Sequence, residues 1–374
     1  MSQYIYDQPG WPGFHWERER VWQQLAAVRY DQGRLIGWMQ SLGFTLRREA
    51  VLTSLTDDVL KSSSIEGQEL DALQVRCSIA RRLGMDVGAL APADRDVEGV
   101  VEMVLDATGN YGEPLTAERL FAWHRSLFPS GSSGMRPIVV GAWRDDSTGP
   151  MQVVSGPVGR EHVHFEAPPA SRVAGEMAAF LDWFNLEPEA DWILKSCIAH
   201  LWFVTLHPFD DGNGRIARAI ADMALARSER SAQRFYSLSS QIRQERSAYY
   251  EILERTSKGT LDITAWIGWF LGCLGRALEG AHSTLSTVLA KTLYWEAVGS
   301  ASLNDRQRLV LNRLVEGFEG KLTTTKWAKL AKCSSVTAWR DIQDLVERGM
   351  LRPSAEGGRS TSYDLVMPED RPAS

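Results

Sequence analysis

One stretch of twelve residues, His207 to Arg218, constrains the fold of this chain more than any other part of its sequence. The segment before it, Asp191 to Leu206, is mostly apolar and contains neither Pro nor Gly, as expected of a buried helix. The segment from Arg215 to Arg227 is rich in Ala, Leu and Met, which favour helix. The sequence therefore predicts a tight loop that joins two core helices.

The residue types in this loop suit the binding of phosphate. Gly212, Asn213 and Gly214 let the backbone turn sharply and point its N–H groups at one spot where the second helix begins, which favours an anion. Arg215 and Arg218 lie three apart on that helix and add two permanent positive charges. We therefore predict an anion site that holds phosphates.

Two further side chains of the loop add chemistry to the anion site. Asp211 offers a hard oxygen ligand, which suits Mg²⁺ bridging a polyphosphate. His207 has an ordinary pKa near neutrality, so it can take a proton from an incoming nucleophile. A calcium loop is not predicted, because Arg215 stands at the next ligand position, and the chain has no Walker A pattern. The loop thus predicts transfer from a Mg-nucleotide to a hydroxyl.

The residues H-P-F-D-D-G-N-G-R-I-A-R resemble the Fic family signature H-x-F-x-[DE]-G-N-G-R-x-x-R at every specified position. The resemblance implies a mainly helical, all-α fold that transfers AMP from ATP to a Ser, Thr or Tyr hydroxyl of a protein and releases pyrophosphate. It implies that His207 is the general base, that Asp211 is the Mg²⁺ ligand and that Phe209 anchors the loop in the core. The nucleotide would be held by Gly212, Asn213, Gly214, Arg215, Ile216, Ala217 and Arg218.

A second short motif, S-S-S-I-E-G, lies far upstream of the loop. Its Ser63-x-x-Glu66 fits a capping box, which would mark the start of a helix. The motif also resembles the Fic inhibitory motif [ST]-x-x-x-E-[GN], read as Ser62, Glu66 and Gly67. That resemblance implies that Glu66 pairs with Arg218 and puts a negative group where the γ-phosphate must lie. A nucleotide could then bind only in a pose poorly aligned for in-line attack.

The remaining sequence predicts three regions. Residues 1–95 are a helical region that carries the inhibitory motif at 62–67, and residues 96–290 are the Fic-like core. Two β-prone runs within 151–166 predict a β-hairpin. The resemblance implies that this hairpin is a flap whose edge pairs with an extended target segment. Residues 300–374 predict three helices followed by two strands, an order that resembles a winged helix.

The adenine pocket is predicted from a helical segment that follows the loop. Gln244 could hydrogen-bond an adenine edge, and Tyr249 or Tyr250 could wall the pocket. Ordinary helix packing explains the tyrosines as well.

Three histidines outside the loop have simpler interpretations. His124 is expected in the core rather than as a ligand. His162 and His164 share one strand face and could bind a metal, but the sequence suggests no third ligand.

The charge of the chain argues against a general affinity for nucleic acid or membranes, because the net charge is −6 with a pI near 5.7. On the predicted third helix of residues 300–374, Ser335, Thr337 and Arg340 could read DNA together with Arg359 in the wing. Acidic residues share that helix, so a protein-interaction or homodimerisation module is favoured over DNA binding.

The localisation predicted from the sequence is cytoplasmic. The polar start lacks a signal peptide, the four cysteines are far apart, and the longest apolar run is too short to span a bilayer.

Two other functions remain open at this point. One is a DNA-binding regulator whose Fic domain senses a nucleotide, and the other is a hydrolase that removes AMP with Glu66 activating water. Contacts to phosphates do not identify the base, so the motif residues do not exclude a nucleotide other than ATP as the donor.

Overall fold

A computed structural model describes residues 4–85, 93–147, 149–156, 160, 162–188, 191–299, 302–315, 318, 320–354 and 361–367. The helices are α1 (Arg18–Gln40), α2 (Phe44–Ile65), α3 (Ala72–Arg82), α4 (Arg95–Gly109), α5 (Ala117–Leu127), α6 (Ala170–Asn185), α7 (Trp192–Leu206), α8 (Asn213–Glu229), α9 (Leu238–Gln244), α10 (Arg246–Ser257), α11 (Thr264–Val298), α12 (Asp305–Val315), α13 (Thr324–Leu330) and α14 (Ser335–Glu347). The strands are β1 (Ser132–Ser133), β2 (Arg136–Pro137), β3 (Gln152–Ser155), β4 (His162–Glu166), β5 (Leu322–Thr323), β6 (Leu351–Pro353) and β7 (Ser362–Leu365). The predicted mainly helical fold with a small β-hairpin is confirmed.

The chain divides into two compact units. The first comprises Met1–Gly43 and Val51–Ala281, and the second comprises Phe44–Ala50 and His282–Ser374. All residues of the signature loop (His207–Arg218) and of the motif at 62–67 belong to the first unit.

Helices α7 and α8 lie at the centre of the first unit. Both are buried along nearly their whole length, because α7 is apolar on all sides and α8 presents mostly Ala, Ile and Met. The side chain of Asp191 caps the start of α7 by accepting a hydrogen bond from the Ile193 amide at 2.6 Å. The prediction of a tight loop between two core helices is confirmed.

The motif at 62–67 lies at the C-terminal end of α2, so the interpretation as a capping box at a helix start is wrong. The Gln68 amide donates to the Ser63 carbonyl and the Gly67 amide to the Ser64 carbonyl, both at 3.1 Å. Gly67 has a φ of +81°. This is a Schellman motif, in which a left-handed glycine ends the helix and leaves Glu66 as its cap.

The predicted flap, residues 151–166, contains the antiparallel hairpin of β3 and β4. Ser155 is paired with His162, and a register shift lies between Val153 and Val154. Phe165 of β4 packs in a small cluster with the rings of Tyr4 and Tyr6. The predicted turn of the hairpin falls largely outside the described residues.

The second unit has its own core around Trp327 and contains a three-stranded antiparallel sheet in the order β5-β7-β6. The predicted helices and strands are present, with β5 as an added strand. Asp341 of α14 is buried and forms an ion pair with Arg306 at 2.8 Å. Part of the negative charge on this helix is therefore paired inside the second unit. The predicted DNA contact Arg359 lies outside the described residues.

One helical segment differs from the predicted pattern. The segment 239–254, predicted as one amphipathic stretch, is divided at Glu245 into α9 and α10. Helix α11 runs from Thr264 to Val298 without a break. Within the ranges that the structure describes, every helix is too short or too polar to cross a membrane.

Candidate active site

The signature loop starts with His207, which ends α7 in the left-handed conformation with a φ of +48°. Its Nδ1 lies 2.9 Å from the Val204 carbonyl oxygen. Because a carbonyl only accepts, Nδ1 carries the hydrogen, and Nε2 keeps its lone pair. The backbone thus fixes the tautomer that a general base needs.

Arg144 holds the backbone of His207 in place. Its Nε donates to the His207 carbonyl at 2.7 Å and its Nη2 to the Pro168 carbonyl at 2.5 Å. The Arg144 amide also donates to the Pro208 carbonyl at 2.9 Å. This buried guanidinium therefore ties the start of the loop to the segment that follows β4.

The pKa of His207 is lowered from its ordinary value. Burial is the main cause, and the nearby charge of Arg144 acts in the same direction, while the hydrogen bond to Val204 and the carboxylates of Glu66 and Asp211 oppose the shift. A neutral imidazole is therefore the favoured form of His207 near pH 7, as a base requires.

The middle of the loop is closed by the side chain of Asn213. Its Oδ1 accepts from the Phe209 amide at 3.0 Å, and its Nδ2 donates to the Phe209 carbonyl at 2.7 Å. Phe209 is fully buried, as expected of a core anchor. The Asn213 side chain is thus committed to the loop itself, which leaves its backbone amide for an anion.

His124 supports the loop from α5. Its Nδ1 accepts from the Gly141 amide, and its Nε2 donates to the Asp211 carbonyl, both at 3.1 Å. Its ring stacks on Phe209 with centroids 4.3 Å apart. Burial lowers the pKa of His124 to about 4, so it is neutral and structural.

Asp211 is the candidate Mg²⁺ ligand. Its Oδ1 accepts from the Gly212 amide at 2.6 Å, and its Oδ2 accepts from the Ser133 hydroxyl. Mg²⁺ in proteins usually takes one or two carboxylates together with substrate phosphates. A carboxylate beside a hydroxyl, next to an anion-binding helix start, fits that preference.

The two arginines that were predicted to bind phosphate both contact protein groups in this structure. Arg215 donates from Nη1 to the Gln68 side chain at 2.8 Å and lies over the Phe128 ring. Arg218 is buried and donates from Nε to the Ser62 hydroxyl at 3.0 Å and from Nη2 to the Ser62 carbonyl at 2.8 Å.

Glu66 completes the surroundings of Arg218. Its Oε1 lies 2.8 Å from Nη1 of Arg218, and about a third of its side chain, 30%, is exposed. Burial works against the charge of Arg218, but the neighbouring carboxylate more than offsets it, so the pKa of Arg218 is raised. The expected pairing of Glu66 with Arg218 is present in the geometry.

The Glu66 carboxylate also covers the start of α8. A Cβ added to Gly214 would overlap Glu66 Oε1. Helix starts attract anions, because their first N–H groups lack partners within the helix. A carboxylate therefore lies where the predicted phosphate site should be.

The other predicted contacts differ in their access to the site. Ile216 and Ala217 are fully buried, so only their backbone can face a ligand. Tyr250 lies close enough to Glu66 that, after burial, the charge of this carboxylate raises the tyrosine's pKa. Tyr249 is buried with its hydroxyl 2.8 Å from His200, and Gln244 is exposed at the end of α9.

Arg144 and Ser133 were missed by sequence reasoning, and His124 was interpreted only as a core residue. All three come from segments remote from the loop, and no local pattern marks them. The signal for His124 was its place on the apolar side of a predicted helix, which indicates burial but not its two hydrogen bonds.

Known families and proteins match the region of the chain that contains this site. A family model described as the Fic/DOC family matches residues 114–225, and a model described as a domain of unknown function (DUF4172) matches residues 4–85. The "Uridine 5'-monophosphate transferase" of Xanthomonas campestris pv. campestris (strain 8004) is 31% identical over 126 residues, which are 31% of this chain and 22% of that protein. The "Protein adenylyltransferase Fic" of Drosophila willistoni is 25% identical over 62% of this chain and 42% of its own length. The protein of the same name from Nematostella vectensis is 25% identical over 62% of this chain and 50% of its length. This chain thus spans half or less of these relatives.

Two solved structures share the fold. A Fic family protein from Desulfovibrio desulfuricans G20 has a TM-score of 0.55 and 22% identity, with 94% of this chain and 97% of that chain covered. A Fic domain containing signaling protein from Bacteroides thetaiotaomicron VPI-5482 has a TM-score of 0.50 and 21% identity over 71% of this chain and 97% of that chain. Residues 114–225 thus match the Fic/DOC family model and contain the complete signature loop, and the two solved structures share the fold.

Proposed function

We propose that this chain is a protein adenylyltransferase that transfers AMP from ATP to a hydroxyl of a target protein and that Glu66 holds it inactive. The observation that carries the proposal is the oriented His207 in the loop that leads into the start of α8, with no hydrogen bond to its Nε2 from any described residue. A base beside an anion site is what nucleotide transfer to a hydroxyl requires.

The reaction follows from these two features. The target hydroxyl oxygen bonds to the α-phosphorus while its proton passes to His207 Nε2. The bond between the α-phosphorus and the bridging oxygen breaks, and pyrophosphate leaves with that electron pair. The backbone amides of Asn213 and Gly214 and the guanidinium of Arg215 offset the charge on the phosphates, whereas the predicted Gly212 amide already donates to Asp211. Mg²⁺ at Asp211 would supply further positive charge to the phosphates.

The proposed inhibition rests on two contacts that the Glu66 carboxylate makes. Glu66 occupies Arg218, which could otherwise bind the γ-phosphate, and it covers Gly214 at the start of α8. A phosphate there would meet both a like charge and a filled space. A nucleotide then binds, if at all, with its α-phosphorus displaced from the line of attack, which costs rate rather than only affinity.

The inhibitory segment (Ser62–Gly67) is held by contacts beyond the Glu66 pair. The Arg246 side chain donates to the Ile65 carbonyl, and the Arg243 side chain donates to the Ser64 hydroxyl, each at 2.9 Å. Relief of inhibition therefore needs the end of α2 to separate from α8, α9 and α10 together, or the Glu66 side chain alone to rotate away.

The hairpin of β3 and β4 is proposed to hold the target segment. It pairs only two strands among the described residues, and Val154 and Val163 expose large apolar side chains. An outer strand edge offers main-chain groups that pair with an extended peptide. The target would be recognised largely through its backbone.

The donor is proposed to be ATP, with UTP as the alternative to test. The relatives named adenylyltransferases support ATP, whereas the Xanthomonas relative is named for uridine 5'-monophosphate. The proposed contacts of Arg215 and Arg218 are to phosphates, which all nucleoside triphosphates share, so these arginines cannot select the base.

The test is transfer of α-phosphate label from each of the four nucleoside triphosphates with Mg²⁺, using the chain itself and a cell lysate as acceptors. Label should be weak in the wild type, strong in Glu66→Gly and absent in Glu66→Gly combined with His207→Ala. Glu69→Gln, a nearby exposed carboxylate, is the matched control and should behave as the wild type. Absence of label in Glu66→Gly, with the fold intact and ATP bound, would contradict the proposal.

A further inference from the structure

We propose that His162, His164 and Glu254 form a binding site for a zinc-like transition-metal ion that links strand β4 to helix α10. The site is separate from the signature loop, and its existence does not depend on the transfer reaction. One potential ligand atom from each of the three residues lies within 4.8 Å of the others.

The two histidines owe their placement to the strand. The rings of His162 and His164 lie with centroids 4.6 Å apart. His164 faces no residue of β3 in the strand pairing, because the register shift between Val153 and Val154 places it at a bulge, and bulges re-aim a side chain. Glu254 reaches them from α10, with Oε2 at 2.7 Å from His164 Nδ1. The third ligand that the sequence did not suggest is therefore supplied by a helix far along the chain.

Tetrahedral coordination requires the three ligand atoms, which all lie within 4.8 Å of one another, to move to a common spacing. Zinc bonds to imidazole nitrogen and carboxylate oxygen are about 2.0–2.2 Å long, so two such ligands lie roughly 3.3 Å apart in a tetrahedral site. The 2.7 Å hydrogen bond between His164 and Glu254 must open by roughly half an ångström to admit the ion. Two histidines and one carboxylate leave a fourth position for water.

Ser155 supplies the outer contact that such sites usually have. Its hydroxyl lies 2.6 Å from Nε2 of His164, the ring nitrogen that does not face Glu254. With a metal on Nδ1, the Nε2 hydrogen would donate to this hydroxyl. A ligating histidine commonly holds its second nitrogen in this way, which fixes the orientation of the ring.

Glu254 is ready to act as an anionic ligand. The ammonium group of Lys258 lies 2.6 Å from its Oε1, which leaves Oε2 facing the histidine. The Lys258 charge opposes that of a metal, but it lies on the outer oxygen of a partly exposed pair, where solvent screens it.

The ligand set selects the class of ion. Imidazole suits zinc, copper, nickel and iron, whereas Mg²⁺ and Ca²⁺ prefer sites built from oxygen ligands. This site and the Mg²⁺ site proposed at Asp211 should therefore take different ions. A bound zinc ion would fix a short two-stranded hairpin, which is marginal alone, against α10.

The test uses the full-length, untagged chain stripped of metal, with Zn²⁺ titrated against a chromophoric chelator. We expect one equivalent of Zn²⁺ to bind, with stoichiometric binding lost in His164→Ala and in Glu254→Gln. Ser155→Ala should weaken binding about 10-fold, as expected for an outer contact. Cys333→Ser and His282→Ala remove other potential zinc ligands and should leave binding unchanged, and millimolar Mg²⁺ should not displace the ion.

A second measurement separates this site from zinc bound elsewhere. Amide hydrogen exchange in β3 and β4 should slow when Zn²⁺ is added to the wild type and should not change in His164→Ala. Circular dichroism of each variant checks its fold. Equal Zn²⁺ binding by the wild type and by His162→Ala combined with His164→Ala would overturn the proposal. Amide exchange rates in the hairpin that stay the same when Zn²⁺ is added would also overturn it. In either case the cluster is only a His164–Glu254 hydrogen-bonded pair.

Discussion

The buried guanidinium of Arg218 lies 2.8 Å from the carboxylate of Glu66, and two more of its nitrogens donate to Ser62. One arginine of the proposed phosphate site is thus bound on three sides by the C-terminal end of α2. Because Glu66 also covers Gly214, the proposed inhibitory segment would compete with a phosphate for both parts of that site. The strength of this competition can be changed one contact at a time.

Ser62→Ala should activate the enzyme partially. The change removes the hydroxyl that accepts from Arg218 Nε, and an unpaired buried donor costs about 1–3 kcal/mol. The Glu66 pair and the Ser62 carbonyl remain, so the transfer rate should lie between those of the wild type and Glu66→Gly. Labelling with α-phosphate-labelled ATP measures this order.

Ser63→Ala is the matched control for that substitution. The Ser63 hydroxyl is buried and has no hydrogen-bond partner within the part of the chain that the structure describes, so its loss should leave no group unpaired. We expect labelling equal to that of the wild type and unchanged or slightly higher stability. Activation by Ser63→Ala, or none by Ser62→Ala, would show that the Ser62 hydroxyl does not help to hold Arg218.

Arg144→Gln in the Glu66→Gly background should lower turnover while leaving ATP affinity nearly unchanged. Arg144 positions His207 through its carbonyl and touches no predicted nucleotide contact. Displacement of a reacting group by about 1 Å can cost roughly 10²-fold in rate. Single-turnover labelling and ATP titration measure the two quantities separately.

Two further variants identify how Arg144 acts. Arg144→Lys keeps the charge but loses the planar guanidinium that donates to two carbonyls. Its transfer rate should therefore be lowered as in Arg144→Gln, with little change in pH dependence. Arg172→Gln removes an arginine that contacts Tyr6 and Glu176, and it should leave the rate unchanged. A raised Kd for ATP in Arg144→Gln, with normal turnover, would contradict a positioning role.

The transfer rate of Glu66→Gly should fall at acid pH with a midpoint below about 6.5, the ordinary pKa of histidine. Burial and Arg144 both lower the pKa of His207, so the neutral base persists to lower pH and is lost only as pH falls through the lowered value. Arg144→Gln removes a positive charge and should move the midpoint upward. ATP binding measured at each pH is the control, and a midpoint above 6.5 would not fit this assignment.

The sequence predicted those features that are local in the chain. The loop, its two flanking helices and the anion site follow from contiguous residues between Asp191 and Arg227. The pairing of Glu66 with Arg218 was expected only through the family resemblance, because nothing in either local segment specifies the other. Arg144 and Ser133 were missed for the same physical reason, since each acts through hydrogen bonds to residues far along the chain.

The wrong interpretation of Ser63-x-x-Glu66 has a specific cause. The same four-residue spacing occurs at both ends of helices. The capping-box pattern consists of Ser63 and Glu66 and does not include the residue that follows them. Gly67 takes the left-handed conformation that commonly ends a helix, and this was the available signal. The metal cluster shows the opposite case, because His162 and His164 were evident on one strand while Glu254 required the packing of α10.

Gly212→Ala should destabilise the fold, because the loop needs glycine at this position. Gly212 has a φ of +79°, and an added Cβ would lie 2.9 Å from Phe128 Cε2. The left-handed conformation alone costs a residue with a Cβ about 1–2 kcal/mol.

The matched control is Gly175→Ala in α6, where the added Cβ meets nothing within 4 Å. An alanine inside a helix should raise stability by roughly 0.5–1 kcal/mol. Urea unfolding of both variants gives the two changes in free energy, which should have opposite signs, and equal stability of Gly212→Ala and the wild type would contradict the loop conformation.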